Sequence, residues 1–481
     1  MALLILLITP LSSIIFYLLS KKRFLYEIIA AVSAGVEFVT GMFMVSQVVV
    51  SGHYAVGPYF SLNAFGALLL AICIFIGLIT TFHSIGYLRA EQQKGMLGLK
   101  RIQVYYVLKS LFMLSMFGAL TTTNPIVMWI SIESTTLSSV FLVALFNRNT
   151  DIEAAWKYLI INSVGLLLCL LGTLLFLGQA SGNGFATWND LMAKAAHFNP
   201  IVSKVAFVFV LIGFGTKMGL VPMHTWKPDA YNKAPLPIVA LLSGALLNVA
   251  FFALLRFKLI VDAAIGPAFS QILFISFGII SIALPAFIIF TQLNYKRMLA
   301  YSSIEHAGIM LLGFGFGGIG IYGSILHILY HSFAKSLLFL VSSNIAVRYS
   351  SSKVKDVTGM IKILPYSSVL LIIGFLTITG IPPFGIFFSE LYIFIAGFHY
   401  SIVLTSVTIV LLLLVFIGLF KQYTAMLFGE PPAGMHKEKY NFWTIIPLVF
   451  LAVVLVITSI YLPEPLQVLL KESNKLFAGT L

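Results

Sequence analysis

The chain has 481 residues, 60% of them hydrophobic and only 9% charged, whereas an ordinary soluble domain is about 25% charged, so a soluble globular protein is excluded. The formal charge of +13, from 29 Lys and Arg against 16 Asp and Glu, would suggest nucleic acid in a soluble chain, but here membrane topology accounts for it. The two cysteines, Cys73 and Cys169, lie in apolar runs and form no CxxC pair, which excludes a disulfide framework, a zinc ribbon or an iron–sulfur site and assigns any redox chemistry to another chain.

A transmembrane helix needs roughly 20 mostly apolar residues. Fourteen such runs are expected, centred near residues 11, 38, 73, 113, 136, 170, 213, 247, 280, 306, 332, 380, 414 and 451. The first is followed by Lys21, Lys22 and Arg23 and has no small-residue cleavage site, so it reads as a retained span rather than a signal peptide. With the amino terminus outside, nineteen Lys and Arg fall in the odd-numbered connections, at 21–23, 89–101, 148–157, 227–233, 296–297, 348–362 and 437–439. Six fall on the opposite face, and Lys109, Lys217, Lys335 and Lys421 lie at membrane depth. This asymmetry places both termini on the external face. The longest connection, about 182–204, reads as a polar external loop with a short surface helix, and beyond the last span only a short tail is expected.

Two spans are interrupted. Span seven runs into GTKMGLVPMHTWKPDAYNKAPLP (215–237), which includes Pro222, and span twelve contains TGIPPFGIFFSE (379–390), with Pro382 and Pro383. Freed backbone groups are tolerated at membrane depth mainly where protein or water surrounds them, and paired interruptions point to transporter binding sites. The two lie five spans apart, which suggests two inverted five-helix repeats, spans 4–8 and 9–13. The chain then divides into spans 1–3 (1–100), the first repeat (101–258), the second (259–428), and span 14 with its tail (429–481).

A charged group at a helix centre costs roughly 2.5–3.5 kcal/mol. The chain nonetheless carries Glu37, Lys109, Glu133, Lys217, Glu305, His306, His327, His331, Lys335, Glu390 and Lys421 at such depths, a penalty on the order of 20 kcal/mol, which selection for stability alone would not retain. Glu133 and Lys217 sit mid-span in spans five and seven and are expected to pair, either as a proton-handling couple or as a static bridge. His327, His331 and Lys335 recur every four residues and line one face of span eleven, where histidines can pass protons through waters. The same spacing is compatible with a metal or haem ligand, but neither a carboxylate motif nor a second histidine pair is evident to complete one. Glu390 closes the second broken segment, and Glu305 and His306 enter span ten. Glu37, Lys109 and Lys421 have weaker claims, since each could snorkel or face a neighbouring subunit. Residues 313–318 spell GxGxxG but follow an apolar helix rather than a strand, and no GxxxxGK[ST] occurs, so no nucleotide site is expected.

In order, FHSIGYL, the WISIE glutamate, GTKMGLVPMHTWKPDAY, YKRMLAYSSIEHAGIM, ILHILYHSFAKSLLF and GIPPFGIFFSELYI resemble the motifs of the antiporter-like membrane subunits shared by respiratory complex I, the Mrp cation/proton antiporters and the group 4 membrane-bound nickel–iron hydrogenases. The resemblance spans about residues 80–425. It implies that Glu133 is the family's buried glutamate, Lys217 its broken-helix lysine, His327 and His331 its span-eleven histidines, and Glu390 its exit-side residue. LLSGALLN (241–248), SSIEHAGI (302–309) and HSFAKSLLF (331–339) are most similar to component F of hydrogenase-4 and formate hydrogenlyase-type complexes. Ser243 stands where many complex I members have a histidine, so a central water chain would depend on Asn248, ordered water or His306. Glu390 stands where several relatives have lysine. The short tail differs from the distal complex I subunit, which carries a long lateral helix.

The resemblance implies an all-α polytopic protein that passes protons along a Glu/Lys/His axis as a subunit of a redox-driven complex. The alternatives are a subunit of a multi-subunit sodium/proton antiporter without redox chemistry and a structural membrane scaffold. No catalytic residue, metal or cofactor is expected in this chain; iron–sulfur clusters, and nickel–iron in a hydrogenase-type complex, would belong to partner subunits. Expected partners are other membrane subunits, including further antiporter-like ones, peripheral redox subunits and the lipid bilayer of a prokaryotic cytoplasmic membrane, with no nucleic acid.

Overall fold

Hydrocarbon offers no partner to backbone polar groups, so long apolar runs close their own hydrogen bonds as helices. In the computed structural model, which describes residues 1–180, 186–437 and 441–478, they do so throughout. The chain begins with α1 (Ala2–Leu19) and α2 (Arg23–Ser51), then a small hairpin of β1 (Tyr54–Val56) and β2 (Phe60–Leu62) in antiparallel register, Tyr54 opposite Leu62. There follow α3 (Ala64–Gln93), α4 (Leu99–Thr121), α5 (Pro125–Val143), α6 (Asn149–Gln179), the short α7 (Trp188–Lys194), α8 (Pro200–Met218) and α9 (Trp226–Lys233). Next, α10 (Leu236–Leu241) and α11 (Leu247–Ile265) are joined by a π-helical turn, Leu242–Leu246. The remainder is α12 (Ala268–Thr291), α13 (Tyr295–Phe316), α14 (Ile319–Tyr349), α15 (Met360–Ile363), α16 (Pro365–Ile378), α17 (Gly385–Tyr400), α18 (Ile402–Leu427), α19 (Phe442–Ile460) and α20 (Glu464–Ala478).

Among the described residues, twelve helical spans are long and apolar enough to cross a membrane, counting Leu236–Ile265 as one. Fourteen is reached only by adding α13, with its polar YSSIEH stretch, and by counting α16 and α17 as the halves of one interrupted crossing. Every expected span centre falls within a helix except residue 380, which lies in that interruption.

Local signals set the helix starts. At α5 and α8 an Asn–Pro pair does so: Asn124 accepts from the N–H groups of Ile126 and Val127 at 2.8 and 3.0 Å, Asn199 does the same for Ile201 and Val202, and each proline occupies the first helical position, which needs no donor. The expected surface helix is α7; residues 182–185 of that loop, like Lys439, lie outside the described residues. It opens on a capping box in which Thr187 donates to Asp190 Oδ2 through its hydroxyl at 2.7 Å and its backbone at 2.8 Å, and these bonds hold the Asp190 carboxyl below its ordinary value.

Burial sorts the spans into centre and rim. The best spanning windows of Leu236–Ile265 and of α14 are 100% buried, against 28% for α1 and 33% for α18. The two most enclosed spans thus carry Ser243, Asn248 and the histidine column, shielded from lipid by the other helices. The tail folds into amphipathic α20, whose Leu469, Leu470 and Phe477 are buried where it packs on α3 and α14.

Candidate functional site

The first interruption ends its helix inside the protein, whereas the second lies at the rim of the chain, with Pro382 and Pro383 exposed. α8 stops at Gly219, whose φ of +79° is a left-handed turn suited to glycine. The released carbonyls are satisfied from the far side of the break: Trp226 Nε1 donates to Thr216 O at 2.9 Å and Lys227 Nζ to Met218 O at 2.7 Å. Pro222 lies in this break, and Pro382 and Pro383 lie in the one between α16 and α17. There Gly380, φ +65°, carries the turn, and an ideal Cβ on it would stand 2.5 Å from Glu390 Oε2. The Glu390 carboxylate therefore rests against the bare backbone of the broken segment.

Around the first break, Glu133 and Lys217 are joined through a hydroxyl rather than directly. Lys217 Nζ donates to Thr136 Oγ1 at 2.8 Å and to Tyr158 Oη at 3.1 Å, while Glu133 receives Thr136 Oγ1 at 3.4 Å and Ser163 Oγ at 3.1 Å. Tyr158 is bonded in turn to Ser139 at 2.7 Å. Lys217 is buried, whereas Glu133 is partly exposed on the flank of α5. Thr136 lies one turn after Glu133 on the same face.

Between the two breaks the spacing is bridged by small polar groups. Ser243 and Ser303 share a hydrogen bond of 2.9 Å, and Asn248 Nδ2 donates to Ser332 Oγ at 2.7 Å. The π-helical turn centred on Gly244 brings α10 and α14 together: a Cβ at Gly244 would meet Ser336 Oγ at 2.3 Å. Such turns recur at functional sites because they widen the backbone locally and redirect side chains. Lys227, on the far side of the first break, is buried.

Near the second break the expected residues converge from three helices. His306 Nδ1 and His327 Nε2 are 2.9 Å apart, and His327 Nδ1 lies 2.9 Å from Ser389 Oγ, the neighbour of Glu390. The His306 ring stands 5.3 Å from that of His331, and His306 Nε2 lies 3.5 Å from Glu305 Oε2. Glu305 also receives Ser302 Oγ at 3.5 Å, and Lys335 Nζ donates to Leu299 O at 3.2 Å. Glu305, His306, His327, His331 and Lys335 are all buried; Glu390 is partly so. Because each His327 nitrogen has a partner, the ring can take a proton on one side as it gives one up on the other.

His306, His327 and Glu390 also bring one ligand atom each within 4.8 Å of one another, a set that could hold a metal ion. Lys335 lies one turn after His331 on the same face of α14, where an ammonium group opposes a second cation.

Lys227 falls in a connection expected to set topology, but it caps the broken helix inside the protein. Ser389, Thr136 and Tyr158 carry no signal in the sequence, because the role of these hydroxyls appears only when helices meet. Glu37 on α2 and Lys109 on α4 are buried rather than snorkelling. Lys421 is exposed and lies over the Phe290 ring at 5.1 Å. Near the Gly266 end of α11, Lys258 is bonded to Asp262, which also accepts from Ser270 at 2.5 Å. At the face rich in basic connections, a cavity of ≈ 430 Å³ opens among Glu91, Lys94, Arg148, Lys233, Lys296 and Ser351.

This arrangement has relatives. A hydrogenase-4 component F homolog of Methylacidiphilum infernorum (isolate V4) is 35% identical over 381 residues, covering 78% of this chain and 80% of the relative. In the membrane-bound sulfane sulfur reductase, an archaeal respiratory membrane complex, one chain superposes with a TM-score of 0.88 at 22% identity, covering 99% of this chain and 97% of its own. A chain of the Mrp complex from Dietzia sp. DQ12-45-1b gives 0.86 at 20% identity with the same coverage. The family described as NADH:quinone oxidoreductase/Mrp antiporter, TM matches residues 122–418, the segment that holds both breaks and every buried group joined above. The protein belongs to the NADH:quinone oxidoreductase/Mrp antiporter transmembrane family.

Proposed function

We propose that this chain is the proton-translocating membrane subunit of a redox-driven complex of the hydrogenase-4 type. Protons pass from the Glu133–Thr136–Lys217 group, by way of Ser243, Ser303, Asn248 and Ser332, to His331, His306 and His327, and leave beside Ser389 and Glu390. The observation that carries this reading is the hydrogen-bonded run His306–His327–Ser389, with a Glu390 carboxylate oxygen within 4.8 Å of a ring nitrogen of both His306 and His327 and both histidines shut away from solvent. A scaffold would gain nothing from two coupled imidazoles at such depth, where each polar group carries a cost.

Moving one proton against 100 mV requires about 2.3 kcal/mol, which no site in the proposed path generates. Partner subunits supply it: further antiporter-like membrane subunits beside the exposed flank of Glu133, and peripheral subunits holding iron–sulfur and nickel–iron centres. A shift of Glu133 relative to Thr136 would change how strongly Lys217 holds its proton, and repulsion between Lys217, Lys227 and Lys335 passes the change along the axis. The chain sits in a prokaryotic cytoplasmic membrane with both termini external, so the cavity at Lys296 is the cytoplasmic vestibule. Residues 101–258 and 259–428 act as the two inverted repeats, one break in each.

The test is proton uptake by vesicles containing the purified complex. Sodium-independent uptake that falls severalfold in Glu133→Gln supports the reading, and normal uptake in the Glu133→Gln, Lys217→Ala double variant removes it. A strict sodium requirement replaces it with a sodium/proton exchanger.

A further inference from the structure

Helices α1 to α4 lie outside the matched segment, yet they enclose a second pair of opposite charges. Glu37 on α2 and Lys109 on α4 are both buried, 6% and 5% exposed. Each has a neutral hydroxyl partner instead of the other: Glu37 Oε1 accepts from Ser33 Oγ at 2.8 Å, and Lys109 Nζ donates to Thr81 Oγ1 on α3. Between them lies a small cavity, ≈ 20 Å³ of space for water centres, also lined by Tyr17, Tyr106 and Ser110. That space admits a water, which needs roughly 10–15 Å³, and the lining offers it the two to four polar partners it requires. The Tyr106 hydroxyl is buried and, among the described residues, without a hydrogen-bond partner.

A polar approach to the cavity lies along α2. Ten residues before Glu37 on the same helix, about 15 Å at the usual rise, Glu27 is held by Arg89 at 2.5 Å and by Arg23 at 3.3 Å. Tyr17, Tyr26 and Tyr106 fill the interval, with ring centroids 5.5–6.5 Å apart. Toward the Ser51 end of α2 the path closes: a Cβ on Gly41 would meet Ile74 Cδ1 at 2.7 Å, so α2 and α3 are in tight apolar contact there.

We propose that Glu37 and Lys109 form a second proton-binding site, a dead-end acid–base pair that exchanges one proton through the cavity water and the tyrosine hydroxyls from the Glu27–Arg89 side. The groups facing the carboxylate are Ser33 on its own helix, Tyr17 on α1, Thr81 on α3, and Tyr106, Lys109 and Ser110 on α4. The pair is separate from the Lys217 and histidine clusters, so its existence does not depend on the direction or coupling of transport.

The test is pH-difference infrared spectroscopy of the purified complex in H2O and D2O. Wild-type protein is expected to show a protonated-carboxyl band, shifted by deuterium, that Glu37→Gln removes. Lys109→Met takes away the cation that stabilises the carboxylate and is expected to move the band's titration midpoint to higher pH. Ser33→Ala, a milder change that does not threaten assembly, is expected to move it in the same direction by a smaller step. A carboxyl region in Glu37→Gln superimposable on wild type overturns the proposal, as does a midpoint unmoved by both Lys109→Met and Ser33→Ala.

Discussion

Lys217 donates to the Thr136 hydroxyl at 2.8 Å, and the same hydroxyl stands 3.4 Å from Glu133. One hydroxyl therefore lies between the broken-helix lysine and the glutamate of α5, able to donate to the carboxylate while it accepts from the ammonium.

Thr136→Ala should therefore be a functional variant rather than a folding one. Removing a hydrogen bond to a charged group costs about 1.5–3 kcal/mol, or roughly tenfold or more in a rate that depends on it. Thr136→Ser keeps the hydroxyl and should restore most of the proton flux. Equal fluxes in the Ala and Ser variants would show that the bridge has no part in transfer.

At the first break, Lys227 closes the end of α8 by donating to Met218 O. Lys227→Ala leaves that carbonyl without its donor in a buried setting, a loss of about 1–3 kcal/mol. The thermal midpoint of the purified complex should fall, with a smaller fall in Lys227→Arg, which retains a donor. A midpoint unchanged in Lys227→Ala would mean that the break is held by Trp226 and packing alone.

Gly380→Ala should be severe, because alanine is strained at φ +65° and its Cβ would collide with Glu390 Oε2. Gly35→Ala, where a Cβ meets nothing within 4 Å, is the matched control and should leave assembly and transport intact. Proton flux measured in both variants checks this. Normal flux in Gly380→Ala would show that Glu390 does not need its present position.

His327 has a partner on each ring nitrogen. Ser389→Ala removes one link and leaves the His306–His327 contact in place, so flux should fall less than in His327→Ala, which removes both. If His327→Ala transports at the wild-type rate, the histidine run is not the path.

Much of this was legible in the sequence, for a definite physical reason. Charge is so scarce in a 9% charged chain that Glu133, Lys217, His327, His331 and Glu390 stand out at membrane depth, and Pro and Gly at 222 and 380–383 marked the breaks. What stayed hidden depends on neighbours in space. Thr136, Tyr158 and Ser389 are ordinary helix residues until another helix brings a charge to them. Lys227 lies in a stretch whose composition matches a basic loop, and only the return of the chain after Gly219 puts it under Met218. Glu37 and Lys109 were each compatible with snorkelling, and it is the packing of α1 to α4 that encloses them. The small hairpin at Tyr54–Leu62 was also missed, because its strands of three residues each are too short to show an alternating pattern.

The most direct measurement is the number of protons moved per electron pair by the intact complex in vesicles, wild type against Lys217→Ala, with electron transfer recorded in the same sample. The expected result is a ratio lowered by this subunit's share while electron transfer continues. An unchanged ratio at an unchanged electron-transfer rate would contradict the claim that protons cross the membrane through this chain's buried axis.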